Sequence, residues 1–434
     1  VSLPRLLPPD LAERATLAAE VHARPSEPLT APARASHVAV LVDADERAQE
    51  LAHLRKLCRH YQIAQPAEGD QQWSGSLGHL RLTWERHGEF SAYTLLVAGR
   101  AAPPFSQTAV ALLPDGWLAD VPGFTVQACH AEILHAEEEF DLPALQQAAF
   151  AGHAVIGSAL GDGVALACSD FRLHADGFGR FLLADRGMDP LLAGRMLQRL
   201  FEIESYRMMA LLAFPVARRL APRIQAIEKS LAGLTDDIAR AGSDSRSDEA
   251  LLQPLTRLAA EVESGLSASQ FRFGACRAYA ELVRTRIDEL REQRLAGLQT
   301  IGEFMSRRFT PAVATAATVS QRLHDLSERV SQASHLLSTR VDIAREQQNH
   351  ALLASMDRRA RQQLRLQQTV EGLSVAAIVY YLAGVVGYVV KGGEAMGLPL
   401  NTPLFVGASV PVLALFALLA VRRARRHAEE PGPD

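Results

Sequence analysis

At 434 residues the chain is long enough for two or three folded units. Charged residues make up 22% of it and the formal net charge is −4, which excludes a globally basic, nucleic-acid-binding surface. Its four cysteines, Cys58, Cys129, Cys168 and Cys276, lie far apart with no CxxC spacing, so they read as reduced, packed thiols rather than a disulfide framework.

Residues 1–35 are rich in proline and alanine, with a helical segment near Leu11–His22 that stops at Arg24-Pro25. The first ten residues lack a long apolar region, so no signal peptide is expected. Ser36–Val42 alternates and is β-branched, the pattern of a strand, and Asp43 is placed to cap a helix over Ala44–Gln62. After a Gly/Gln/Ser stretch, Leu80–Glu85 and Phe90–Val97 read as a hairpin joined by Arg86–Glu89. A helix near Ser106–Leu113, a strand near Phe124–Leu134 and a helix near Leu142–Phe150 come next. Strands near Ala154–Ala159, Val164–Leu173 and Phe178–Leu183 complete an α/β or α+β domain over about residues 1–186.

From Asp189-Pro190, an N-cap and N1 pair, the pattern turns helical. The first helical stretch reaches about Arg240 and is interrupted or kinked at Pro215 and Pro222, and the polar run 241–247 is a turn. A second long helix is expected from about Asp248 to Phe309. Pro311 opens a third, in which Val319, Leu323, Leu326, Val330, Ala333 and Leu337 follow heptad spacing. No proline or glycine intervenes between Pro311 and Gly372, so this stalk helix can run directly into the C-terminal region. Its apolar stripe must pack against the two preceding helices or against the same helix of other subunits.

The C-terminal region is strongly apolar. Leu373–Val390 and Leu404–Val421 each lack Asp, Glu, Lys, Arg and His, and at about 18 residues each is long enough to span a bilayer. The alternative is a buried hairpin in a soluble core. The linker 391–403 holds Gly392, Gly393, Gly397, Pro399 and Pro403, which predicts a turn rather than helix. Arg358, Arg359, Arg361 and Arg365 precede the first span, and Arg422, Arg423, Arg425 and Arg426 come after the second. The positive-inside rule then puts both termini in the cytoplasm and the linker outside. The expected architecture is α+β. A cytoplasmic α/β domain (1–186) leads to a long helical region (187–310) and a coiled stalk (311–371). A transmembrane hairpin (372–421, spans about 373–390 and 404–421) and a basic tail (422–434) complete it.

Candidate chemistry is sparse. Cys129-His130, His135 and Glu137-Glu138-Glu139 form the densest group of metal-ligand types, readable as a weak divalent-cation site at His135, Glu137 and Glu138 or as a solvated acidic turn. His22 and Arg24 suit either an anionic ligand or a structural ion pair. Glu202, Glu204 and Arg207 share a helix, with Glu204 and Arg207 spaced for an ion pair and interhelical bridging favoured over catalysis. If a pore exists, Ser374, Gly384 and Gly387 would line it and Glu394 or Asn401 would ring its mouth. No nucleotide loop, Gly-x-Ser-x-Gly or His-Glu-x-x-His motif occurs, so no enzyme and no cofactor is expected, apart from a candidate divalent cation.

Three runs carry a resemblance: Glu20–Pro25 (EVHARP), Glu202–Met208 (EIESYRM) and Thr369–Ile378 (TVEGLSVAAI). They resemble a bacterial family of uncharacterised, membrane-anchored proteins, a domain of unknown function, over most of the chain. The architecture is also similar to that of CorA-type divalent-cation transporters, pentamers whose first span lines the pore. Their Gly-Met-Asn triplet is absent from the linker, which reads GGEAMGLPLN. These resemblances imply a homo-oligomeric protein of the bacterial inner membrane, pentameric if CorA-like. The expected function is conduction or transport of a cation, and the alternative is an anchored cytoplasmic scaffold or sensor that binds a protein or small ligand without transport.

Overall fold

The computed structural model describes residues 11–14, 17–18, 26–136, 142–240, 245–396 and 401–428. Two compact units emerge, Val1–Asp237 with Gln253–Ser334, and Ile238–Leu252 with His335–Asp434.

The first unit is built on a nine-stranded sheet in the order β2-β3-β4-β1-β5-β8-β7-β6-β9. Its strands are β1 Ala33–Leu41, β2 Gln72–Leu77, β3 Leu80–Arg86, β4 Phe90–Ala98, β5 Phe124–His135, β6 Ile156–Leu160, β7 Ala165–Ser169, β8 Gly179–Asp185 and β9 Gln293–Arg294. Neighbours are antiparallel except β5 and β8, which run parallel. The mixed α+β class expected from the sequence is therefore the observed one.

Side chains alternate across each strand, so the two faces of β1 meet different partners. Val38 and Val40 face the helix α1 (Arg47–His60), forming a core with Leu54, Trp84, Tyr93 and Leu95. On the same face α2 (Leu142–Phe150) packs Ala149 and Phe150 onto Leu182. His37 points the other way, onto α3 (Pro190–Leu211). Asp189 caps α3 as expected, its carboxylate accepting from the N–H groups of Leu191 and Leu192 at 3.0 and 2.9 Å.

Several local expectations are corrected. Helix α1 starts at Arg47, not Ala44: Asp43 accepts the Glu46 N–H through its main-chain oxygen, forming a turn instead of a cap. The helix expected at Ser106–Leu113 is only a 3₁₀ turn, Ala109–Leu112, because Pro114 holds Leu113 extended at ψ 156°. Strand β2 lies inside the Gly/Gln/Ser stretch, its Trp73 paired across from Trp84.

The long helices are α4 (Ala213–Arg240), α5 (Ser245–Glu289), α6 (Ile301–Arg308), α7 (Thr310–Ala395) and α8 (Thr402–Ala428). The helix expected from Asp248 to Phe309 is thus broken after Glu289. Arg291 and Gly297 adopt positive φ (47° and 80°), and the intervening chain adds β9 to the sheet edge beside β6. The chain re-enters helix at Thr300, which forms a capping box with Glu303. Glu292 accepts from the N–H groups of Ile301 and Gly302 (3.0 and 2.9 Å) and from the Ser158 hydroxyl (2.8 Å), tying α6 to β6.

Helix α7 runs without a break from Thr310 into the first apolar segment, and its heptad seam is intramolecular through the first unit. Val319, Leu323, Leu326 and Val330 are buried. Leu323 packs near Gly265 of α5, and Arg322 bonds Glu228 of α4 at 2.7 Å. In the second unit Leu337 and Val341 are buried, Arg340 lies 3.4 Å from Asp248, and Arg345 lies 2.7 Å from Glu249. Beyond Glu346 every face of α7 is open as far as the apolar segment, apart from half-buried Ser355 and Glu371. The helix also continues through Gly392 and Gly393, where the sequence predicts a turn. The N–H of Met396 still reaches their carbonyls, at 3.2 and 3.1 Å.

Candidate functional site

The residues with the clearest structural work lie on α3, between the sheet and α5. Ser205 donates or accepts at 3.1 Å with Nε2 of His37, whose Nδ1 lies 2.8 Å from the Thr94 hydroxyl. The His37 ring stacks on Phe201 at 4.8 Å. On the other side of α3, Glu202 accepts from Arg286 of α5, and Tyr206 stacks on Tyr279 of α5 at 5.8 Å. Arg207 donates twice to Glu204, both bonds 2.8 Å. The run Glu202–Arg207 therefore forms the ion pair and the interhelical bridge that its spacing suggests, and it fastens sheet to helix.

A cavity of about 50 Å³ lies under this junction, lined by Glu27, His37, Thr94, Gln198, Phe201 and Glu202 among others. That volume suits water, well short of the several hundred Å³ of an organic-ligand pocket. Two of its carboxylates are already engaged: Glu27 lies 2.8 Å from Arg81, and Glu202 is held by Arg286.

Burial holds two histidines of this unit neutral. His37 is pushed down to about 3 from the usual 6.5 by burial, with a smaller contribution from His87. His130 falls to about 4 for the same main reason. The unfolded chain protonates both below pH 6.5 while the folded chain resists, so stability present above 6.5 is lost as pH falls toward these values. The unfolding midpoint of the sheet unit is expected to drop steadily from pH 6.5 to 4. His37→Gln should flatten that decline, and an unchanged slope in the variant would refute the assignment.

In the second unit, α8 and the end of α7 are each long and apolar enough to cross a membrane. Their large side chains point outward: Leu373 is 75% exposed, Tyr388 80% and Phe416 74%. Neither helix is therefore buried within the core of its own chain. Gly387 faces Val406 of α8, where an added Cβ would lie 3.5 Å from its methyl, while Gly384 faces open space. The Ser374 hydroxyl donates to the Val370 carbonyl of its own helix at 2.9 Å. Glu394 accepts from the Thr402 N–H at 3.1 Å, and the main-chain oxygen of Asn401 accepts from Leu404 and Phe405 at 3.1 Å, so both serve the start of α8.

The sequence matches a family described as "Protein of unknown function (DUF3422)" across residues 9–428. The chain belongs to the DUF3422 family. No curated protein and no solved structure matches it.

The remaining predicted residues of this DUF3422 chain are scattered. His135 is exposed at the end of β5, whereas Glu137, Glu138, His22 and Arg24 lie outside the described residues. All four cysteines are buried and free. Among the described residues a different group could hold a metal: His153, Asp170 and His174, whose donor atoms lie within 4.8 Å of one another. Sequence spacing does not single it out, because His153 precedes β6 while Asp170 and His174 come after β7. Only the sheet brings them together.

Proposed function

We propose that the chain is an integral protein of the bacterial inner membrane, anchored by its C-terminal hairpin with both termini cytoplasmic. It acts as a homo-oligomeric scaffold or sensor rather than as an enzyme or an ion pathway. The observation that carries this reading is the open part of α7. Leu352, Met356, Ala360 and Leu364 recur every fourth residue as one broad stripe, and Leu352 is 61% exposed. Helices in proteins draw most of their stability from packing an apolar face, so a second copy of the stripe is the natural cover.

Transport by a CorA-like pentamer is the second reading, favoured by the unbroken helix from soluble unit to span. Against it, Glu394 and Asn401 are occupied in starting α8 and Gly387 in packing within the hairpin. The family match names no transporter.

In mild detergent, native mass spectrometry of the full chain is expected to give a homo-oligomer, and Leu352→Glu with Met356→Glu to give monomers. A monomeric wild-type chain would overturn the oligomer reading. Magnesium flux into vesicles carrying the protein, above that of empty vesicles, would favour transport.

A further inference from the structure

We infer that His153, Asp170 and His174 form a binding site for a first-row divalent transition-metal ion, separate from the membrane hairpin and from the α3 junction. The Oδ2 atom of Asp170 lies 2.7 Å from Nδ1 of His153 and 3.1 Å from Nε2 of His174. Ligands about 2.1 Å from a shared ion sit roughly 3.0–3.4 Å from one another; all three donors lie within 4.8 Å of one another, so the two imidazoles close in around Asp170 when an ion is bound.

Three features favour an ion over a purely hydrogen-bonded cluster. The Asp170 side chain is fully buried, and its second oxygen is steadied by the Arg172 N–H at 3.3 Å, leaving Oδ2 directed at the histidines. Nε2 of His174 is a buried nitrogen without a hydrogen-bond partner, although it sits beside that carboxylate. An ion there would satisfy both the buried charge and the orphaned nitrogen. Finally, His153 is 34% exposed at its side chain, so the site opens to solvent on one side, giving an entry path and free coordination positions.

The donor set selects the ion class. Two imidazoles and one carboxylate suit zinc, iron(II) and their neighbours, whereas calcium and magnesium require oxygen-rich sites. Surrounding charge is nearly balanced: Asp176 lies 3.7 Å from Arg180, and Arg180 also donates to the Ala149 carbonyl at 2.7 Å. Asp170 follows the end of β7, where Ser169 is opposite Phe181 of β8, whereas His135 is opposite Asp185 at the other end of β8. This cluster is therefore not the cation site that the Cys129–Glu139 run suggests.

The test is titration of the tag-free, chelator-treated full chain in detergent with zinc, and with cobalt(II) as a visible-absorbing substitute. One ion per chain is expected, with a d–d band for cobalt and a raised unfolding midpoint. His153→Ala should weaken binding at least tenfold, and His174→Ala should abolish it. His153 is partly exposed, so that variant is expected to keep the metal-free midpoint of the wild type even if changes at buried Asp170 or His174 disturb folding. Absence of a stoichiometric ion, or undiminished binding in His153→Ala, overturns the site.

Discussion

Replacing Gly194 by valine is expected to lower the unfolding midpoint of the sheet unit more than any conservative change on its surface. Gly194 lies near the start of α3, where an added Cβ would come within 1.9 Å of the Glu27 carbonyl oxygen and 3.0 Å of its carbon. The obstacle is backbone on both sides, so no rotamer change relieves it and α3 must move off residues 27 and 28. Overpacking of this kind typically costs about 1–3 kcal/mol, and the absence of a flexible neighbour puts the value near the top. For a unit of this size each kcal/mol is worth roughly 1.5 °C. Trp73, Trp84 and Trp117 are all buried in the sheet core, so tryptophan fluorescence reads this unit directly. Gly233→Ala on α4 is the control: open space surrounds that glycine, and a helical alanine gains up to about 1 kcal/mol. A Gly194 variant that unfolds with the wild type would mean that α3 does not press on Glu27.

Strong local signals are legible in the sequence, and long-range ones are not. The Asp189-Pro190 start of α3 and the seam from Val319 to Leu337 depend on periodicity and capping within a few turns, and the structure has both. The break after Glu289 escapes a local reading although Thr300 and Glu303 spell a capping box, because the apolar pattern on either side continues in phase. Its cause is remote: Glu292 turns back to hold α6 and Ser158, more than a hundred residues away. Strand β2 is hidden by its Gly and Ser content, although Gly78-His79 forms the tight turn to β3. The site at His153, Asp170 and His174 is invisible for the same reason as β9: each depends on which strands are neighbours, and pairing order is not written in local spacing. Glycines 392 and 393 mislead in the opposite sense, since glycine lowers helix propensity without forbidding a helix already propagated over many turns.

Glu204→Ala should be the most costly change on the polar side of α3. Glu204 is 6% exposed, and its carboxylate takes both Arg207 donors at 2.8 Å, a bidentate arrangement stronger than two neutral bonds. Burial opposes the Arg207 charge, yet the adjacent carboxylate outweighs it and holds the guanidinium above its ordinary range. Without Glu204 that charge stays in place with no counterpart, because Cys129 beside it is a thiol that burial keeps protonated. Stranding one member of a buried pair costs about 3–5 kcal/mol, and the 18% exposure of the Arg207 side chain favours the lower end. The double variant Glu204→Leu with Arg207→Leu strands nothing and is expected near the wild-type midpoint, or above it. Chemical denaturation of the three proteins, followed by tryptophan fluorescence, separates the cases. A costless single variant would mean Arg207 finds another partner. If the double variant fell as far as the single one, the pair would be fixing the seating of α3, and with it the bridge from His37 to Arg286, rather than merely neutralising a charge.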